Sequence, residues 1–317
     1  MTKVLDELGT ETLTKTNAVK PLKDYLGDIY EGLGDGSKEY LGIKTGFKSL
    51  DNATMGLSGL IVLSGRAGGG KTSLAIQLAY QACLANNAPI IFYSLEMSRR
   101  QVAVRLLSQL SGIDQKTIYR GGRQTDTLEQ YSATKKDLEK LEATKAKLAE
   151  ITDKFYVYDR TDGELDFSRL EDNIQTVKTE TDSEQVFIVI DHLQVFTGNK
   201  EMQRYDQLSK ENALINGFKD IQERTNATIL LISQENKAEY NKGKVTAVKG
   251  SVDIIYLADL VMQIQGEEQD NGDNDAVYET FGKPAEEVKL RINKNRYGET
   301  KVVKLRFNGS TSSFTEL

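Results

Sequence analysis

The chain contains the octapeptide Gly65-Arg66-Ala67-Gly68-Gly69-Gly70-Lys71-Thr72, directly after the apolar run Leu60-Ile61-Val62-Leu63. This arrangement fits the pattern G-x-x-x-x-G-K-[ST], in which a strand runs into a glycine-rich loop and a helix begins near the lysine. Backbone N–H groups and the helix N-terminus then point at one place, which favours bound phosphate. We predict that all eight residues bind ATP, with Lys71 on the β and γ phosphates and the Thr72 hydroxyl on Mg²⁺. The alternative is a flexible surface turn.

Length and composition limit the classes of protein to which this chain could belong. The chain has 317 residues with only three prolines, 38% hydrophobic and 28% charged residues, and a net charge of −6. It contains no apolar run near the ~18 residues of a membrane span, and its N-terminus resembles no targeting peptide. The single cysteine, Cys83, excludes an internal disulfide, and the single histidine, His192, leaves no Cys/His set for zinc. We expect a cytoplasmic, Mg²⁺-dependent protein without membrane contact.

Apolar strand candidates alternate with helical stretches after Gly42. The predicted strands cover residues 60–64, 89–94, 155–158, 186–190 and 228–232, and the predicted helices cover residues 71–84, 99–110, 132–151 and 207–223. Continuous runs of β-branched and aromatic residues are typical of strands that helices cover on both faces. The pattern predicts an α/β fold with a mostly parallel central sheet flanked by helices.

The two ends of the chain read differently from this alternating region. After Asp259, apolar and polar residues alternate around Leu290 and around Leu305, which predicts an antiparallel edge at the C-terminus. Residues 266–284, rich in Glu, Asp, Gly and Asn, predict an insertion loop. Residues 1–41 are polar, with a short helical candidate over residues 22–30 that could dock on its own domain or on a neighbouring subunit. We therefore divide the chain into an N-terminal extension, 1–41, and an ATP-binding domain, 42–317.

Three polar side chains follow predicted strands and should meet at one edge of the sheet. Asp191 ends the run Val186-Phe187-Ile188-Val189-Ile190 and is a candidate Mg²⁺ ligand beside the phosphate loop. Glu96 could accept a proton from an attacking water, or it could simply be an acidic residue at a helix N-terminus. Gln234 could contact the γ phosphate, or it could cap a turn.

Several short motifs, taken in order, carry a family resemblance. Besides the phosphate loop they are Thr45-Gly46-Phe47-Lys48-Ser49-Leu50-Asp51, Ser94-Leu95-Glu96-Met97, Ile190-Asp191-His192-Leu193-Gln194, Ile232-Ser233-Gln234 and Lys294-Asn295-Arg296-Tyr297-Gly298. Over residues 42–317 the chain resembles the C-terminal RecA-like motor domain of DnaB-type replicative DNA helicases, particularly the versions carried by phages and mobile elements. The resemblance implies a P-loop NTPase that assembles as a hexameric ring, binds ATP between subunits and moves 5′ to 3′ on single-stranded DNA.

The same resemblance implies roles for individual residues. Glu96 would be the catalytic glutamate and Gln234 the γ-phosphate sensor. Lys294 and Arg296 would reach the nucleotide of the neighbouring subunit, where an arginine stabilises transition-state charge. Without the family, this pair would be interpreted as an ordinary solvated edge. The helical candidate over residues 22–30 would pack on the adjacent subunit.

Basic loops after the fourth and fifth predicted strands are candidates for DNA contact, with a solvated lysine-rich loop as the alternative. These candidates are Lys200, Arg204, Lys237, Lys249, Gly250 and Ser251. Lys249-Gly250-Ser251 matches the DNA-binding loop of the family. Contacts of this kind are made to the DNA backbone, so they predict salt-sensitive and sequence-tolerant binding.

The chain also departs from the family pattern. His192 stands where the family usually has tyrosine, and Val252 and Ile255 stand where it usually has glycine and glutamate. We interpret His192 as structural. The N-terminal collar domain, the part that commonly engages primase, is expected to be absent, because some 40 residues are too few for a domain of ~100 or more. A primase and a helicase loader remain candidate partners.

Two classes of function remain open from the sequence. The first is a ring-forming, ATP-hydrolysing DNA helicase of DNA replication. The second is a nucleotide-switched DNA-binding or assembly ATPase of the RecA, RadA or KaiC-like type, without unwinding activity. The Ser-Leu-Glu-Met and Ile-Asp-His-Leu-Gln motifs favour the first class, whereas the Lys-Asn-Arg-Tyr-Gly motif occurs in close form in both.

Overall fold

The computed structural model describes residue 22 and residues 41–120, 133–199, 202, 204–234, 252–266 and 285–317. The chain divides into two compact units, residues 1–39 and 40–317. The helical candidate over residues 22–30 lies outside the described residues except for Leu22, whose side chain is exposed. Most of the predicted insertion loop, residues 267–284, also lies outside them. All the described helices and strands belong to the second unit.

The described residues form one nine-stranded sheet in the order β3-β2-β4-β5-β1-β6-β7-β8-β9. Its strands are β1 Leu60–Gly65, β2 Ile90–Ser94, β3 Phe155–Asp159, β4 Phe187–Asp191, β5 Thr228–Gln234, β6 Leu260–Gly266, β7 Glu286–Asn295, β8 Val302–Asn308 and β9 Ser313–Glu316. The first six strands are mutually parallel wherever they pair. Strands β1, β2 and β4 are buried along their whole length, as their continuous apolar sequences require.

The C-terminal strands are antiparallel, as the alternation of their residues predicts. β7 pairs antiparallel with β6, and β8 and β9 continue the meander. In β8 every second residue is buried, so one face of this edge packs on the core and the other faces solvent. The fold predicted from the sequence, an α/β domain with a mostly parallel sheet and an antiparallel C-terminal edge, is confirmed.

Helices cover both faces of this sheet. The described helices are α1 Lys48–Thr54, α2 Lys71–Asn86, α3 Arg99–Ser111, α4 Gln115–Arg120, α5 Lys135–Ala149, α6 Phe167–Thr181, α7 Gln207–Thr225 and α8 Val252–Leu257. Several begin at side-chain caps: Ser98 accepts from the Gln101 N–H before α3, and Asp206 accepts from the Ser209 N–H before α7. None of the helices in this part of the chain is both long and apolar enough to cross a membrane.

Two apolar clusters occupy the two faces of the sheet. One packs α1, α2 and α3 with residues of the antiparallel strands, and includes Leu74, Leu78 and Phe307. The other packs α6 and α7 with the opposite side chains of the parallel strands, and includes Leu170, Ile174 and Phe218. The parallel strands are thereby held on both faces, which fixes the loops at their carboxyl ends.

Strand β6 and helix α6 are among the elements that were not predicted from the sequence. Strand β6 is parallel to β1 and sits between the parallel and antiparallel parts of the sheet. Helix α6 has Asp166 as its N-cap and buries Phe167, Leu170, Ile174 and Val177. That spacing is the amphipathic pattern of a helix, so the signal was present in the sequence.

Candidate functional site

The phosphate loop connects β1 to α2, as predicted from its sequence. Two of its glycines, Gly68 and Gly70, have φ values of 71° and 85°, which side chains other than glycine rarely adopt. A Cβ at Gly70 would also lie 2.8 Å from Cζ of Phe314, a β9 residue packed beneath the loop. Glycine is therefore required at position 70 both for the turn and for the close approach of the C-terminal strands.

Lys71 begins helix α2 and its side chain is buried within the loop. Its Nζ donates to the carbonyl oxygens of Gly65 and Arg66, at 2.8 Å in each case. These contacts keep the ammonium group at the centre of the loop rather than in solvent. A positive charge at the N-terminus of a helix, surrounded by backbone amides, forms a binding site for a polyphosphate.

The pairing of β2 with β4 brings the two predicted carboxylates together. Ser94, the last residue of β2, is in register with Asp191, the last residue of β4, and the Leu95 N–H donates to the Asp191 carbonyl at 2.7 Å. Glu96 follows one residue later and is half exposed, whereas Asp191 is buried. Strand register therefore places a buried and an accessible carboxylate side by side, as the sequence predicted.

Burial raises the pKa of Asp191 above its ordinary value, and the hydrogen bond from the Thr72 hydroxyl opposes this increase. Glu96 raises the pKa further by like-charge repulsion, and His192 and Arg105 lower it. No donor among the described residues contacts Oδ2 of Asp191. A buried carboxylate oxygen without a donor is costly in isolation, and it is a suitable ligand for a hard cation. Together with the Thr72 hydroxyl, Asp191 offers the oxygen ligands that Mg²⁺ prefers.

His192 lies in the site, beside the two carboxylates. Its Nδ1 is 3.2 Å from Oε1 of Glu96, but this approach lacks hydrogen-bond geometry. One ligand atom from each of Glu96, Asp191 and His192 lies within 4.8 Å of the others. The sequence suggested only a structural role for this histidine. In the structure its imidazole forms part of the wall next to Glu96.

These groups surround one cavity of about 310 Å³. Gln234, the last residue of β5, is part of its lining, so the predicted γ-phosphate sensor faces the predicted phosphate site. The cavity is lined by Ala67, Gly68, Gly69, Gly70, Lys71, Thr72, Ser73, Glu96, Met97, Arg105, Asp191, His192, Ile232, Gln234, Gly309 and Ser312. The structure thus brings together the phosphate loop, both carboxylates and the sensor.

Arg105 lines the cavity and was not predicted from the sequence. It is on α3 between the buried residues Val104 and Leu106. Burial lowers the pKa of its guanidinium, and Asp191, Tyr119 and Glu96 raise it again. An arginine on the buried side of a helix that follows Glu96 was the available signal, because arginine is seldom buried without an anionic partner.

Gly309 and Ser312, which lie between β8 and β9, also line the cavity and were not predicted. Gln109 donates to the Ser312 carbonyl at 2.7 Å and to the Ser73 carbonyl at 2.8 Å, which ties this turn to α2. Ser312 is 203 residues further along the chain than Gln109. Only the sheet topology brings these residues to the site, so no local pattern could have identified them.

Lys294 and Arg296 do not line this cavity. Lys294 donates to the carbonyls of Ile255 and Tyr256, at 2.9 and 2.7 Å, at the end of α8. Arg296 donates to Oδ1 of Asp259 at 2.7 Å. Asp259 precedes β6 and its N–H donates to the carbonyl of Leu60, so both basic residues lie near the amino end of β1. The phosphate loop is at the other end of that strand, about 17 Å away for six residues.

Among the predicted DNA contacts, only Arg204 belongs to the described residues, and it is exposed just before α7. Lys200, Lys237, Lys249, Gly250 and Ser251 lie outside them. Of the two positions that depart from the family pattern, Val252 begins α8 and Ile255 lies within it. The Ile255 carbonyl accepts one of the two hydrogen bonds from Lys294.

Comparison with known proteins confirms the family resemblance predicted from the motifs. A family model described as "DnaB-like helicase C terminal domain" matches residues 42–316. The chain is 27% identical over 282 residues to the "Replicative DNA helicase DnaB" of Leifsonia xyli subsp. xyli, covering 87% of this chain and 56% of that protein. It is 29% identical over 286 residues to the protein of the same name from Rickettsia felis, covering 83% of this chain and 53% of that one. The chain therefore spans about half the length of these relatives.

Solved structures show the same fold. One whose title describes it as an "ATPase Domain" superposes with a TM-score of 0.78 at 18% identity, covering 95% of this chain and all of that one. The structure titled "The Structure Of A DnaB-Like Replicative Helicase And Its Interactions With Primase" gives a TM-score of 0.72 at 18% identity, covering 95% of this chain and 68% of that one. At this identity the similarity establishes the RecA-like fold alone.

Proposed function

The chain belongs to the DnaB-like helicase C-terminal domain family, and from this membership we propose that it is the motor of a ring-forming, ATP-dependent DNA helicase of replication. In this proposal subunits assemble as a hexameric ring around single-stranded DNA. ATP hydrolysis between subunits then moves the ring 5′ to 3′. The convergence of Lys71, Thr72, Asp191, Glu96 and Gln234 on one cavity supports the ATPase part of the proposal.

Each residue of the cavity has a distinct role in this proposal. The loop amides and Lys71 bind the β and γ phosphates, and Gln234 contacts the γ phosphate. Thr72 and Asp191 hold Mg²⁺, which neutralises phosphate charge when bound. Glu96 accepts the proton of the attacking water, because its accessible carboxylate faces the cavity.

The positions of the phosphate loop and Arg296 support a site shared between subunits. Strand β1 carries the phosphate loop at its carboxyl end, whereas Arg296 contacts Asp259 near its amino end. Arg296 therefore cannot reach the phosphates bound by its own subunit. We propose that Arg296 and Lys294 complete the site of the next subunit, where the guanidinium stabilises the charge of the transition state. A ring built from such heterologous contacts has as many sites as subunits.

DNA contact is proposed for the loops that follow β4 and β5. Arg204 is exposed after β4, and Lys200, Lys237, Lys249, Gly250 and Ser251 are assigned to the same role. These residues would bind phosphates of the strand in the ring channel, so affinity should fall steeply with salt and depend little on sequence. The helical candidate over residues 22–30 would dock on the neighbouring motor domain. We also propose that a primase and a helicase loader are partners of this protein and that it acts in the cytoplasm.

A forked-duplex unwinding assay tests the proposed activity. We expect strand displacement that requires ATP, Mg²⁺ and a free 5′ single-stranded tail on the strand that the ring encircles. The matched control is a fork whose only tail is 3′, which should not be unwound. ATP hydrolysis stimulated by single-stranded DNA, but without strand displacement even in the presence of a loader, would favour the RecA, RadA or KaiC-like alternative.

A further inference from the structure

Asp259 lies between α8 and β6 and its side chain is completely buried. Its carboxylate receives three donors: the Leu60 N–H at 2.8 Å, Lys219 Nζ at 3.0 Å and a guanidinium nitrogen of Arg296 at 2.7 Å. A buried carboxylate is stable only when its oxygens are paired in this way. These hydrogen bonds therefore hold the Asp259 carboxylate in one position, and Arg296 is one of the groups bound to it.

The backbone around Asp259 is built to allow this contact. A Cβ at Gly59 would overlap Oδ2 of Asp259, so only glycine permits the carboxylate to come this close to β1. The Asp259 N–H also donates to the Leu60 carbonyl at 2.7 Å. The carboxylate is thus anchored to the strand whose other end carries the phosphate loop.

Arg296 is held by the same residue through two separate contacts. Its backbone N–H donates to the Asp259 carbonyl at 2.9 Å, and one guanidinium nitrogen donates to Oδ1. The rest of the side chain remains accessible, with 47% of its surface exposed. Because the guanidinium is planar and its donors are rigidly arranged, fixing one nitrogen sets the direction of the others.

We propose that Asp259 is the positioning residue for Arg296: it holds one side of the guanidinium so that the other side is presented to the neighbouring subunit's nucleotide. This inference rests on the shared site of the proposed function. It predicts that Asp259 acts on hydrolysis at the next subunit's site and not at its own. A purely structural role of Asp259, joining β1 to β6, predicts the opposite, since β1 leads to its own phosphate loop.

Asp259→Asn keeps the size of the side chain and an acceptor for Leu60, but it removes the charge that holds Arg296. We expect kcat to fall at least about tenfold with KM for ATP changed less than about twofold, because substrate binding uses the other end of β1. Glu171→Gln is the matched control. Glu171 also pairs with an arginine, Arg224, at 3.0 Å, but this pair joins α6 to α7, and replacing Glu171 should leave kcat unchanged.

Mixed rings provide the decisive measurement. Asp259→Asn subunits are coexpressed with Glu96→Gln subunits, which lack the proposed base but retain an intact Arg296. A site is active where the loop comes from the first type and the arginine from the second, about a quarter of the interfaces in random rings. Turnover should therefore rise well above that of either parent. Arg296→Ala mixed with Glu96→Gln serves as the positive control.

The outcomes separate the two proposals. If Arg296→Ala is rescued in mixed rings and Asp259→Asn is not, Asp259 serves its own site and the inference is overturned. If neither variant is rescued, the shared site itself fails. Normal turnover of Asp259→Asn alone also overturns the inference. Should that variant not fold, the double variant Asp259→Asn/Lys219→Met removes the carboxylate together with one of its two cationic partners, and the same mixing results are expected.

Discussion

Two buried aspartates lie near opposite ends of the parallel sheet and differ in how many hydrogen-bond donors they have: Asp259 near the amino end of β1, and Asp191 at the carboxyl end of β4, on the side of the phosphate loop. At the amino end, both oxygens of Asp259 accept hydrogen bonds, from Leu60, Lys219 and Arg296. At the carboxyl end, Oδ2 of Asp191 has no donor among the described residues. Asp191 also faces a second carboxylate, Glu96, which raises its pKa. Both side chains are buried, so burial alone does not distinguish them.

This difference distinguishes a buried carboxylate whose donors are supplied by the fold from one that needs a bound cation. A buried carboxylate with all its donors stabilises one geometry, whereas a buried carboxylate with too few donors destabilises the folded chain until a cation binds. Natural active sites often retain such unfavourable groups because function requires them. We therefore expect substitution of a carboxylate with too few donors, such as Asp191, to remove activity without loss of stability, and substitution of fully paired carboxylates to cost stability.

The largest expected effect is that of Lys71→Ala. Loss of the ammonium group from the centre of the loop should reduce ATP turnover by about 10³-fold or more, because its charge stabilises the transferring phosphoryl group. The melting temperature should change little. The matched control is Lys178→Ala, which removes a lysine whose Nζ donates to the Thr225 carbonyl at 2.7 Å, far from the cavity. Residual turnover above about a tenth of the unmodified chain would contradict the assignment of the loop.

Asp191→Asn should separate activity from stability. Turnover should fall about 10²-fold or more as the Mg²⁺ ligand is lost, while the free energy of unfolding at pH 7 rises by about 1 kcal/mol. The pKa of Asp191 is raised in the folded state, so its ionised form disfavours folding above that pKa and its neutral form does not below about pH 3.8. The stability gain should therefore shrink as the pH falls towards 4.

Thermal melts of both chains at several pH values, without Mg²⁺, measure this gain. Adding Mg²⁺ and a non-hydrolysable ATP analogue should stabilise the unmodified chain more than Asp191→Asn and so reduce the difference. A lower melting temperature for Asp191→Asn at pH 7 would show that this carboxylate is as fully paired as Asp259. The comparison between Asp191 and Asp259 would then fail.

Much of this carboxyl end was predictable because its residues follow strands. The phosphate loop, Glu96, Asp191 and Gln234 each come directly after a buried apolar run, and parallel strands bring their carboxyl ends to one edge. The fold class followed from the same runs. Arg105 was missed because a residue within a helix has no such positional marker, and Ser312 because it reaches the cavity through the antiparallel strands alone.

The amino end was less predictable. Arg296 and Lys294 were recognised only through the family motif, and Asp259 was noted merely as the point where the pattern changes. Nothing in the local sequence indicates that Asp259 lies beside Leu60, 199 residues earlier in the chain. That contact depends on the insertion of β6 next to β1, and the apolar run of β6 was not recognised as a parallel strand.

Arg105→Met tests how far the cavity compensates its own negative charge. The guanidinium is buried beside Asp191 and Glu96, and both raise its pKa. Without it, the negative charge of the two carboxylates is no longer offset by a nearby cation, so we expect about a tenfold loss of turnover and a small loss of stability. Arg100→Met, an exposed arginine on the same helix, is the matched control and should retain full turnover. Equal behaviour of the two variants would show that Arg105 has no part in the site.

The smallest expected effect on activity is that of Asp159→Ala. This variant tests whether the hydrogen-bond donors of a carboxylate, or its position at the carboxyl edge of the sheet, determine its effect on turnover and stability. Asp159 ends β3 at the carboxyl edge, like Asp191, but its oxygens accept hydrogen bonds from Thr161 and Arg99, like those of Asp259. These bonds hold its pKa well below the ordinary value, with the Thr161 hydroxyl as the main cause. If pairing decides, the variant should lose about 2 kcal/mol of stability and keep its turnover within about twofold.

The stability that Asp159 contributes should depend on pH in the opposite sense to that of Asp191. Because its folded pKa is depressed, the contribution is complete above about pH 4 and is lost as the pH falls through the folded pKa. Thermal melts at pH 6 should thus separate Asp159→Ala from the unmodified chain by several degrees, and melts below pH 4 by progressively less. Glu142→Gln, which removes an exposed pair with Lys145 at 4.0 Å, should not change the melting temperature at either pH. A large loss of turnover in Asp159→Ala without loss of stability would mean that position at the carboxyl edge, rather than the number of donors, determines which carboxylates serve the reaction.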